Sequence, residues 1–69
     1  MFDIKKFKAQ MVLKGFTGKQ LADALNINES TFYRKLNDNG RFSREEINKM
    51  VDLLSIEDPK VIFFADELA

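Results

Sequence analysis

The chain has 69 residues, with neither cysteine nor histidine. That length holds one domain with a limited core, and the missing residue types exclude disulfides, thiolate metal sites and the commonest general base. Net charge is zero but unevenly spread: residues 1–44 hold nine Lys/Arg against four Asp/Glu, a net of +5, and residues 45–69 hold two against seven, a net of −5.

A hydrophobic share of 45% predicts a globular fold rather than disorder. No stretch reads as a signal peptide, and no apolar run approaches the roughly 20 residues of a membrane span. The expectation is a single intracellular domain over residues 1–69, with no membrane partner. A basic front and an acidic back fit a molecule that turns one face to a polyanion.

The apolar spacing predicts an all-α domain of four to five helices, and nothing alternates long enough to be a strand. The first helix opens after Asp3 as N-cap and runs to Lys14, with Ile4, Phe7 and Met11 in one stripe. Gly15 supplies the left-handed residue that stops it. Thr17 and Gln20 form a capping-box pattern for the second helix. Leu21, Ala24 and Leu25 make its inner face, with Ala22 beside them, and Asn26 ends it.

Ile27 is the plug that follows, and Asn28 caps a third helix from Glu29 to about Leu36, with Phe32 and Leu36 pointing into the core. Asn37-Asp38-Asn39-Gly40 is a turn by composition. Ser43 and Glu46 are a second capping box, for a helix that buries Ile47, Met50, Val51 and Leu54. Asp58-Pro59 then starts a short last helix. Its run Val61, Ile62, Phe63 and Phe64 is apolar enough to predict either self-association or closure of the domain's own core.

Residues 18–36 carry the most specific pattern. A small residue in mid-helix, Ala22, lets a following helix cross closely. Asn26 accepts positive φ in the turn, and Ile27 and Phe32 lock the two helices at a steep angle. That is the geometry of a helix-turn-helix, whose second helix enters the major groove of DNA.

On these residues the chain resembles the phage repressor and Cro family. Gly15-Phe16-Thr17-Gly18-Lys19-Gln20-Leu21-Ala22-Asp23-Ala24-Leu25-Asn26-Ile27-Asn28 is similar to the family's second helix and turn, and Glu29 to Asn37 to its recognition helix. The fourth helix and the Ile62-Phe63-Phe64 ending resemble small Cro-type or repression-modulating proteins from phages of Gram-positive bacteria. Three positions depart from the family: Gly18 stands where it often carries glutamine, Asn26 stands at the turn glycine, and Glu29 opens the recognition helix with a negative charge.

The resemblance implies a compact lambda-repressor-like fold, dimeric binding to operator DNA, and a place in a lysis–lysogeny switch in the cytoplasm of a bacterial host. Carried over residue by residue, it puts Glu29, Ser30, Thr31, Tyr33 and Arg34 against base edges. Arg34 is the strongest candidate, since its fork matches guanine O6 and N7. Tyr33 either reaches the groove edge or packs partly buried. Lys19, Lys35, Asn37, Asn39 and Arg41 sit where phosphate contacts fall, and Val61 to Phe64 is the candidate dimer or partner contact.

A second class of function stays open. Zero net charge, Gly18, Glu29 and the acidic back half suit an antirepressor that binds and inactivates a partner repressor protein. Enzymatic chemistry is not expected, because Asp52, Glu57 and Asp58 have no nucleophile, glycine-rich loop or histidine near them in sequence. No cofactor and no metal is expected.

Overall fold

Helix starts and stops are set by local chemistry, and five helices result among the described residues. In the computed structural model, which describes residues 2–64, α1 spans Ile4–Lys14, α2 Gly18–Ala24, α3 Glu29–Asn37, α4 Arg44–Leu54 and α5 Pro59–Phe63. No strand occurs among the described residues, so the domain is all-α as its periodicity predicts. No described helix is long and apolar enough to cross a membrane. Asp66 and Glu67, counted in the acidic half, lie outside the described residues.

The N-terminal caps follow the sequence closely. Asp3 accepts a hydrogen bond from the Lys6 N–H at 3.1 Å. Thr17–Gln20 and Ser43–Glu46 each form a reciprocal capping box. Such a cap contributes on the order of 1 kcal/mol by pairing donors that the first turn leaves free. Asn28 and Asp58 occupy N-cap positions but make no side-chain cap bond.

Three helices stop in the same way. Gly15, Asn26 and Ser55 are left-handed, with φ of 75°, 59° and 49°. Each is followed by an apolar residue whose N–H reaches back five residues: Phe16 to Met11 O at 2.8 Å, Ile27 to Ala22 O at 3.0 Å, and Ile56 to Val51 O at 3.0 Å. This is the Schellman arrangement, which satisfies orphan carbonyls and turns the apolar residue back onto the helix it ends. Ile56 is buried, and Phe16 and Ile27 are partly buried against the core.

The core gathers one stripe from each helix. Phe7 and Met11 come from α1, Leu21 and Ala22 from α2, Phe32 and Leu36 from α3, and Met50 and Leu54 from α4. On α2 the buried face is Gly18, Leu21, Ala22 and Leu25, at helical spacing, so Ala24 is exposed rather than on the inner face. Ile47 and Val51 are half-buried at the edge. Phe2 and Phe42 also reach the core from outside any helix.

The apolar ending closes the molecule on itself. Ile62 and Phe63 are buried, and the Phe63 ring lies 5.5 Å from Phe2 and 5.9 Å from Phe7. The Asp3 N–H donates to Ile62 O at 2.7 Å, joining the two ends of the described chain. This corrects the expectation that Val61 to Phe64 is a contact surface as a whole. A five-residue helix started by Pro59 turns two of the four inward, leaving Val61 half-buried and Phe64 exposed. The radius of gyration, 11.1 Å, equals that expected of a fully collapsed chain of this length, about 11 Å.

Candidate nucleic-acid interface

The α2–α3 pair is the most closely packed in the fold. Ala22 is almost wholly buried where α3 crosses, and a larger side chain there would push the helices apart. Between them the chain turns through left-handed Asn26, while Ile27 packs against the core. From below, α3 is fastened by Phe32 and Leu36, neither of which is more than 1% exposed.

The opposite face of α3 is polar and open. Glu29, Ser30, Tyr33, Arg34 and Asn37 fall at positions i, i+1, i+4, i+5 and i+8, which is one helical stripe, and all are exposed. Thr31 lies to one side, half-buried in a shallow depression with Asp23, Asn26, Ile27 and Asn28. The structure therefore groups four of the five expected base readers on one face and sets Thr31 on its flank.

The expected phosphate contacts divide. Lys19 on α2, and Asn37, Asn39 and Arg41 at and beyond the end of α3, are exposed. Arg41 makes only a surface pair with Asp38, Nε to Oδ1 at 3.6 Å, which is worth little and leaves the guanidinium available.

Lys35 is different. Its ammonium donates to both oxygens of Glu46 at 2.9 Å, with only 24% of the side chain exposed. Glu46 also accepts from the Ser43 N–H at 2.8 Å. Partial burial pushes the Glu46 carboxyl up, but the Ser43 N–H and the Lys35 ammonium outweigh this and hold it below its usual range. Lys35 thus ties α3 to the start of α4, its ammonium occupied by Glu46.

A family model described as a protein of unknown function, DUF739, matches residues 1–67. The chain belongs to the DUF739 family. No curated relative and no solved structure matches it.

One contact in this DUF739 chain was not legible in its sequence. Gly18, the first residue of α2, is buried, and a methyl group added there would collide with the hydroxyl and ring of Tyr33. The Tyr33 ring also stands edge-on to Phe32, with centroids 5.3 Å apart and planes at 81°. The only sequence signal was a glycine at a helix start where residues with side chains usually serve.

Proposed function

We propose that this DUF739 protein is a transcription regulator of the phage repressor and Cro type, which binds double-stranded DNA by laying the outer face of α3 in the major groove. The observation that carries this reading is the open stripe Glu29, Ser30, Arg34 and Asn37, held on a helix clamped from beneath by Phe32 and Leu36 and crossing α2 over Ala22. A rigid helix with a polar outer face fits that groove, where each base pair displays its own donor and acceptor pattern. Arg34 is assigned to a base edge, and Lys19, Asn37, Asn39 and Arg41 to phosphates. Operator binding as a dimer would draw on Phe64, which lines a surface depression with Ile47, Val51 and Pro59.

The test is a titration with duplex DNA from upstream of the protein's own gene and with a scrambled duplex, at several salt concentrations. Each phosphate neutralised releases counterions, so the two cationic phosphate contacts, Lys19 and Arg41, should give a logarithmic salt slope of about −2 per protomer and about −4 for a dimer. Arg34→Ala should weaken binding to the preferred duplex by about 1–3 kcal/mol and leave binding to the scrambled one nearly unchanged. Equal, weak binding of both duplexes by the parent protein would overturn the reading.

A second reading is favoured by one observation: Val12 and Leu13, side by side near the end of α1, are 82% and 72% exposed. Adjacent exposed aliphatics suit a protein contact, as an antirepressor acting on a partner repressor would need. Co-purification with the repressor encoded beside it, lost in a Val12→Lys/Leu13→Lys variant, is the outcome that reading requires.

A further inference from the structure

Tyr33 stands on the outer stripe of α3, yet its side chain does not extend away from the helix. Its hydroxyl and ring fill the space above Gly18 that a side chain at that position would occupy. At the other side the ring packs nearly perpendicular to Phe32, which is fully buried and cannot yield. Lys8, Val12, Phe16 and Thr17 complete the walls of the depression beside it. Tyr33 is therefore held between the core beneath α3 and the first turn of α2, although it remains 39% exposed.

We infer that Tyr33 and Gly18 form an interlock that fixes the rotation of α3 about its own axis, so that Tyr33 positions Arg34 instead of reading bases itself. The functional half of this inference rests on the DNA-binding reading above. The physical argument is one of leverage. Phe32 and Leu36 grip α3 from directly beneath, and Lys35 holds its α4 side through Glu46. The side facing the start of α2 has no ion pair among the described residues, and there Tyr33 on Gly18 is the stop. A helix held on one flank alone can roll, and roll carries the tip of a long arginine sideways across a base pair. A tyrosine suits the task because it supplies a large rigid surface with few torsions to freeze.

The chain has one tyrosine and no tryptophan, so its intrinsic fluorescence reports Tyr33 alone. The experiment measures acrylamide quenching of that fluorescence for the parent and Gly18→Ala, and binding to preferred and scrambled duplexes for the parent, Gly18→Ala, Tyr33→Phe, Tyr33→Ala and the double variant. Gly18→Ala should expel the ring and raise quenching. It should also cut the preference for the specific duplex by about tenfold, comparable to the loss of one base contact, with affinity for scrambled DNA and the salt slope unchanged. Tyr33→Ala should lower the preference equally. Tyr33→Phe, which keeps the ring, should retain it within about twofold, a factor close to thermal energy.

Adding Gly18→Ala to Tyr33→Ala should cost nothing further, because the obstruction is gone. Unchanged quenching in Gly18→Ala overturns the interlock whether or not the protein binds DNA. A Tyr33→Phe variant as impaired as Tyr33→Ala would instead make the hydroxyl a direct DNA contact and overturn the positioning role. Should Gly18→Ala fail to fold, the double variant decides the matter: it must fold, and its failure to do so overturns the interlock. Absence of any sequence preference in the parent defeats the proposed function separately, with the quenching result still standing.

Discussion

Two aromatic groups hold this domain together, and they do so on different terms. Beneath the α2–α3 pair, Phe32 meets Tyr33 and Phe42 with centroids 5.3 and 5.7 Å apart. At the far side, Phe2, Phe7 and Phe63 meet within 5.5 to 5.9 Å. The first group forms between neighbours in sequence, beside a capping box and a left-handed stop. The second joins opposite ends of the described residues, and its last member sits on a five-residue helix with no side-chain cap bond. Isolated helices so short do not persist in water, so α5 exists because Ile62 and Phe63 are buried. Local chemistry shapes the face proposed to meet DNA; tertiary closure alone shapes the opposite end.

The sharpest way to break this contrast is Phe32→Ala. Removing a wholly buried phenylalanine costs about 3–5 kcal/mol, and a domain this small rarely has more than about 3–5 kcal/mol to lose. Circular dichroism at 25 °C should show an unfolded chain; a cooperative melt would deny Phe32 its central place. Phe63→Ala should cost somewhat less, about 3 kcal/mol, and distribute its effect differently. Amide exchange should quicken first at the Asp3 N–H and in α5, with α2 and α3 still protected. Uniform loss of protection would show that the two regions are one cooperative unit.

Glu46→Ala removes an ion-pair partner of α3 and half of a capping box at once, and should cost about 1–2 kcal/mol at neutral pH. The Glu46 carboxyl lies below its usual 4.5 in the folded state. Its stabilising share is therefore complete above that value and lost as pH falls through the lower, folded one. The urea midpoint of the parent should drop as pH is lowered through 4.5 and below, and Glu46→Gln should flatten that drop. A parallel pair of curves would assign the acid sensitivity to other carboxylates. Smallest of all is Ser55→Gly, expected to stabilise by about 0.5 kcal/mol, since relief of a left-handed side chain is partly offset by unfolded-state entropy. A lower melting temperature would mean that the Ser55 side chain contributes more than its backbone strain costs.

Much of the fold was legible because it follows from local rules. Asp3, Thr17, Gly15, Asn26 and Ser43 announce helix ends, and the spacing of Phe7 with Met11 and of Phe32 with Leu36 announces inner faces. The third Schellman stop was not legible, because Ser55 is neither glycine nor asparagine and the burial of Ile56 follows only from the turn it makes. Phe2 and Phe42 lie outside helices, where no periodicity marks them. Ala22 was legible as the small residue under the crossing of α3, but Ala24, two residues on, is exposed, because the buried stripe of α2 runs through Gly18, Leu21, Ala22 and Leu25.

The candidate site was legible as a stripe but not residue by residue. Exposure of Glu29, Ser30 and Arg34 follows from helical geometry once Phe32 and Leu36 point inward. What Lys35 does depends on Glu46, eleven residues on and in another helix, and what Tyr33 does depends on the emptiness of Gly18. Neither partner stands at a spacing that sequence alone can pair.

The hydrogen bond from Asp3 to Ile62, with Phe2 against Phe63, bears on how the chain is made. A ribosome delivers residues in order, so α2 and α3 are complete while Phe2 and Phe7 still lack the ring that covers them. Nascent chains halted after residue 58 should be cut readily by protease within α1, and lengthening them past α5 should abolish the cut. Emergence of α5, and not of the α2–α3 pair, would then be the moment at which this domain becomes resistant to protease.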